Sequence, residues 1–109
     1  MGFFKSLFTG KEETEEEKQE QQKQNQFDVF KYDGIQAQRI GKIDYALECF
    51  RRALDLQDDT ETRVIYANAL IAKDDLEAGA AQLEKVREKD PETIDVLLTL
   101  ADLYFQLEQ

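Results

Sequence analysis

The chain has no histidine and no tryptophan, and only one cysteine, one methionine, one proline and one serine in 109 residues. Nucleophilic catalysis needs a nucleophile held against a base. With no histidine, Ser6 in the leading segment and Cys49 inside a helical core pattern, no such pair can be built, and the chain is expected not to be an enzyme. A lone cysteine forms no internal disulfide, and no second thiol or imidazole is present to complete a metal site. Cys49 therefore fits a reducing, cytoplasmic compartment, is expected to pack beside Phe50, and no cofactor or metal is expected. Base is scarce as well: 14 Lys and Arg stand against 24 Asp and Glu, a net charge of −10. Binding to a phosphate backbone needs clustered cations, so nucleic acid is excluded as a partner. No apolar run is long enough for a signal peptide or a transmembrane helix, and none alternates with the period of two that a strand requires.

What the chain does have is a repeat. Gly34-Ile35-Gln36-Ala37 aligns with Ala67-Asn68-Ala69-Leu70 at an offset of 33 residues, and that with Ala101-Asp102-Leu103-Tyr104 at an offset of 34. Ala46, Phe50 and Ala53 align with Gly79, Leu83 and Val86. A period of this length marks stacked helix pairs, in which no single repeat buries its own apolar face. The expected fold is all-α: a helical-hairpin solenoid of two full helix pairs plus one terminal helix.

Composition divides the chain into residues 1–10, an aromatic segment; 11–26, an acidic and glutamine-rich stretch; and 27–109, the repeats (27–58, 59–90 and a half repeat, 91–109). The middle stretch has no apolar stripe and is expected to be a flexible linker or a solvated helix; its Glu15 to Glu17 run reads as a solvated face. In the repeats the spacing predicts a helix from Phe27 to Ile40, stopped at Gly41, and a second through Ile43, Ala46, Leu47, Phe50, Ala53 and Leu54. Two more run from about Asp59 to Lys73 and from about Asp75 to Lys89, with aspartates as caps and Asp74-Asp75 as the turn. Capping is also the expected use of the paired carboxylates Asp58-Asp59 and Asp74-Asp75. A fifth helix is predicted to open with Asp90 as cap and Pro91 at its first position.

These residues resemble the tetratricopeptide repeat pattern W-x2-L-G-x2-Y…A-x3-F…P. The first copy presents Phe30, Asp33, Gly34 and Ala37, then Ala46, Phe50 and Ala53; the second Arg63, Tyr66, Ala67 and Leu70, then Gly79, Leu83, Val86 and Pro91; the third Leu97, Leu100, Ala101 and Tyr104. Asp33 and Arg63 depart from the pattern and suggest loose packing in the first pair. The resemblance implies a concave groove that binds a peptide or partner helix. Carried over by residue, its lining would be Lys31, Tyr32, Ile35, Arg39, Val64, Ile65, Asn68, Ile71, Leu98, Thr99, Asp102 and Phe105. Ile35, Ile65, Ile71 and Phe105 could equally be packing between repeats. Capture of a chaperone's C-terminal carboxylate, known in this family, is not implied: only Lys31 matches a basic site, Ile35 and Ile65 replace asparagines, and Asp95 and Thr99 replace the later bases.

The last helix is apolar around nearly its whole circumference, and Leu97, Leu100, Ala101 and Tyr104 are expected to form an exposed terminal face. Three covers are expected for it: a homodimer pairing last helix on last helix, the aromatic leader, or a following helix if the chain is cut from a longer repeat protein. The leader, Phe3, Phe4, Leu7 and Phe8, is spaced to occupy one side of a short helix. It is expected to contact an apolar surface of the repeats or, alternatively, to anchor the chain at a membrane. The Gly2 and Ser6 spacing also matches a short myristoylation pattern. The function these features imply is protein or peptide binding by a scaffold; the alternative is a peripheral membrane adaptor.

Overall fold

The computed structural model describes residues 13–109. They form five α-helices: α1 (Glu15–Arg39), α2 (Ile43–Leu56), α3 (Thr60–Ala72), α4 (Leu76–Lys89) and α5 (Ile94–Leu107), with no strand among the described residues. The fold is all-α, two helix pairs plus a terminal helix. α1 packs on α2, α3 on α4, and the pairs join through α2 on α3 and α4 on α5. Connections of three or four residues make successive helices antiparallel.

The repeat is visible in the turns. α1 ends with Gly41 in the left-handed region (φ 83°), its N–H bonded to the Gln38 carbonyl and the Lys42 N–H to that of Ala37. α3 ends identically 33 residues later: Asp74 takes the left-handed position (φ 68°), with Asp74 N–H on Ile71 and Asp75 N–H on Leu70. Both are Schellman closures, which satisfy the last carbonyls and reverse the chain. Asp59 caps α3 by accepting from the Thr62 N–H at 3.0 Å, and Asp75 caps α4 by accepting from the Ala78 N–H at 3.3 Å.

The predicted start of the fifth helix is wrong. Asp90 to Thr93 form a turn, with the Thr93 N–H on the Asp90 carbonyl and the Glu92 N–H on the Asp90 side chain; α5 begins at Ile94. Proline serves the second position of a turn as well as it serves a helix start, because both need φ near −65°. The preceding junction has only Gln57 to Asp59 between helices, so the extra residue that lengthens the second offset to 34 lies in this turn.

Two apolar clusters form the core. Ala37, Ala46, Phe50 and Ala69 join α1, α2 and α3; Ala67, Ala80, Leu83, Val86, Val96, Leu100 and Leu103 join α3, α4 and α5. α3 contributes to both, which makes it the middle layer. Cys49 is buried beside Phe50, and desolvation pushes its thiol up from the ordinary range. The loose packing expected at Asp33 is not found: Asp33 faces solvent and its neighbour Gly34 lies against the Phe50 ring. Arg63, in the place of an aromatic, bonds Gln82 of α4 at 2.6 Å and Asp58 at 2.9 Å.

Residues 15–26 are the leading part of α1 and continue without a break into its packed part, with every side chain exposed. Nothing apolar holds them, so local terms must. Thr14 and Glu17 form a reciprocal capping box, and Glu15, Glu16 and Glu17 occupy the positive end of the helix dipole. Gln21 to Asn25 and Gln24 to Asp28 add side-chain bonds one turn apart. Because Phe27 to Arg39 is already fixed by packing on α2, this stretch extends an existing helix and avoids the cost of nucleation.

Candidate functional site

The residues assigned to a groove separate into three groups. Ile35 and Ile65 pack against the first cluster, and Val64 and Ile71 against the second; these four are packing between layers. Tyr32, Arg39 and Asn68 are exposed. Leu98, Asp102 and Phe105 are exposed on α5, and Thr99, half-buried, donates its hydroxyl to the Asp95 carbonyl at 2.9 Å.

Lys31 does not present a cation to a groove. Its side chain is buried and bridges Glu61 at 2.5 Å and Asp59 at 3.3 Å, with its Nζ 5.8 Å from the centre of the Phe27 ring and 5.6 Å from that of Tyr32. Asp59 also accepts the hydroxyl of buried Thr62 at 2.6 Å. The hydrogen bond to Glu61 raises the Lys31 pKa in spite of desolvation, so the ammonium is spent on tying α1 to the start of α3. One repeat further on, Val64 stands in register with Lys31, so this clamp is built once only.

The most prominent feature of the surface is the outer side of α5. Ile94 is 68% exposed, Leu98 64% and Phe105 65%; Leu97, Ala101 and Tyr104 complete the stripe and are exposed too. The spacing from 94 through 98 and 101 to 105 is one face of a helix. Leu100 does not belong to it. At 4% exposed it sits with Val96 and Leu103 on the opposite side, buried against α4, because helical geometry sets it about 100° or more around the axis from each of Ile94, Leu98 and Ala101. The terminal face and the α5 part of the groove are therefore one surface, and Ile94, assigned to neither, heads it. Its signal was present in the four-residue step to Leu98. Tyr104 is held at the edge by donating its hydroxyl to Glu84 of α4, which raises the phenol pKa and lowers that of the carboxyl.

At about 200 Å² for a large side chain, the exposed fractions amount to roughly 500 Å² of apolar stripe, the size at which the largest patch on a monomer is commonly functional. Asp95 and Asp102 lie along it, and α5 carries no Lys or Arg. Elsewhere among the described residues there are open clefts, one of about 450 Å³ lined by Asp33, Gln36, Ala37, Ile40, Lys42 and Tyr45. No three His, Cys, Asp or Glu side chains converge as a metal site, and no helix is long and apolar enough to cross a membrane, among the described residues. Phe3, Phe4, Leu7 and Phe8 lie outside the described residues. No family model, curated protein or solved structure matches the chain.

The junction between pairs carries a pH response. Asp58 sits between Lys89 at 2.5 Å and Arg63 at 2.9 Å, and these cations hold its carboxyl at about 2, below its ordinary value of 3.8. A depressed carboxylate stabilises the fold above its unfolded pKa and loses that contribution as pH falls toward its folded pKa. Asp58→Asn is thus expected to be less stable than the parent by a constant margin above pH 5, a margin that narrows between pH 3.8 and about 2. Urea unfolding across that range measures it; a margin independent of pH contradicts the assignment.

Proposed function

We propose that the protein is a non-enzymatic binding module, built of tetratricopeptide-like repeats, that acts in the cytoplasm by holding a partner helix on the outer stripe of α5. The observation that carries this reading is the stripe itself. Leu98 and Phe105 are each about two-thirds exposed on a helix whose opposite face is firmly packed. Wetting such a surface forgoes about 25 cal/mol per Å² of apolar area, which a docked helix recovers by presenting its own apolar residues at three- and four-residue steps. The repeat period supports the reading, since stacked pairs bind through extended surfaces. The reducing compartment is supported by the buried, unpaired Cys49. The peripheral-membrane alternative rests on residues 3–8, which lie outside the described residues.

Panning a library of helical peptides against the full chain tests the proposal. Selected peptides are expected to lose at least tenfold in affinity for Leu98→Glu/Phe105→Glu and to bind Tyr32→Ala unchanged. Peptides indifferent to the α5 pair and sensitive to Tyr32 would place binding on the groove side instead.

A further inference from the structure

The stripe of α5 is apolar, bordered by carboxylates and free of cations. One segment of the same chain has the complementary chemistry. Residues 1–11 hold Phe3, Phe4, Leu7 and Phe8 at one-sided spacing, together with Lys5 and Lys11 and no acid. No other part of the sequence combines a dense aromatic cluster with net positive charge.

Reach decides which copy it meets. Residues 9–14 span at most about 20 Å, and the solvated stretch Glu15–Gln26 sets the leader about 18 Å beyond the packed body. α1 touches α2 and α3 and not α5. The outer face of α5 lies across two further helix layers, each about 8–10 Å, so a tether of this length favours the stripe of a second copy over that of its own chain. We infer that the leader of one copy, through Phe3, Phe4, Leu7 and Phe8, docks on the α5 stripe of a second copy, with Lys5 and Lys11 facing Asp95 and Asp102. The inference rests on the reading of the stripe as a docking surface and names its occupant.

Area and charge favour this pairing over α5 against α5. Stripe on stripe buries roughly 1,000 Å² in total, below the range of stable interfaces, and brings together only acids from chains of like net charge. A reciprocal pair of leader contacts buries roughly 2,000 Å², within that range, with opposite charges apposed. The contact joins two different surfaces, so copies close into a two-fold dimer by exchanging leaders or extend as a chain.

The test is complementation between full-length chains in sedimentation experiments. Wild type is expected to associate. A leader variant, Phe4→Asp/Phe8→Asp, and a stripe variant, Leu98→Glu/Phe105→Glu, are each expected to stay monomeric at concentrations where wild type dimerises. Their equimolar mixture is expected to associate more tightly than either variant alone and more weakly than wild type, because one intact leader then meets one intact stripe and only one of the two reciprocal contacts forms. Lys5→Glu/Lys11→Glu, which leaves the folded body untouched, is expected to weaken association at least tenfold. Circular dichroism melts confirm that each variant is folded. A monomeric wild type, a leader variant that dimerises as wild type does, a mixture no more associated than either variant alone, or wild type bound through its leader to phosphatidylserine-containing vesicles without associating would each overturn the inference. Helical peptides that still bind the stripe of a monomeric wild type would remove this inference and leave the proposed function standing.

Discussion

Replacing Phe50 with alanine is expected to lower the unfolding free energy by about 3–5 kcal/mol, the usual cost of emptying a fully buried aromatic site. Domains of this size hold some 5–15 kcal/mol in all, and the midpoint of thermal unfolding should fall by roughly 15–30 °C. Phe50 has no solvent exposure, fills the cluster that joins α1, α2 and α3, and sets its ring 6.5 Å from that of Tyr66 at 60°. The space it leaves is bounded by Gly34 and the alanines 37, 46 and 69, which are too short to fill it, and by Ile35, Leu47, Ile65 and Tyr66, which pack on the cluster from its partly exposed rim. In a solenoid the damage is local, since each layer touches only its neighbours. Hydrogen exchange should therefore rise in α1 and α2 while Leu83, Val86, Leu100 and Leu103 keep α4 and α5 protected. Urea unfolding measures the loss; a change below about 1 kcal/mol would mean that the ring is not the keystone of this half.

Gly34→Ala should also destabilise, against the ordinary expectation for a helix. In an exposed helix interior the change gains about 1 kcal/mol. Here a Cβ would come within 2.6, 2.8 and 3.0 Å of three atoms of the Phe50 ring, and that ring is fully buried and cannot swing aside. Overpacking of a tight core costs about 1–3 kcal/mol, and contacts as short as these belong at the upper end, so after the helix gain the net effect is a loss of up to about 2 kcal/mol. The decisive comparison is the same substitution in a Phe50→Leu background, where the obstructing ring is gone and Gly34→Ala should be neutral or stabilising. Equal losses in both backgrounds would show that the steric account is wrong. Gly79, which aligns with Ala46 on the second helix of its pair, meets the same constraint from the other side: an added Cβ would come within 2.8 Å of Ile71 and 3.3 Å of the Ala67 carbonyl; a small residue is thus required where each pair of helices crosses.

The number of helices, their pairing, the small residues at their crossings and the turns at Gly41 and Asp74-Asp75 could all be read from the chain's local pattern. Each of these follows from local rules: a 3.6-residue period of apolar side chains, an aspartate before a helix, a glycine or aspartate after one. What depends on a neighbour far along the chain had to wait for the packing. Lys31 reads as a surface cation until Asp59 and Glu61, 28 and 30 residues away, fold over it. Pro91 suits a helix start and a turn equally well, and the packing of α5 on α4 selects the turn. On α5 the hydrophobic pattern surrounds the helix so completely that periodicity cannot tell inside from outside; contact with α4 buries Val96, Leu100 and Leu103 and leaves Ile94, Leu98 and Phe105 in water. A pattern in the chain can show that a face is apolar, but which apolar face is free depends on where the preceding helix lies.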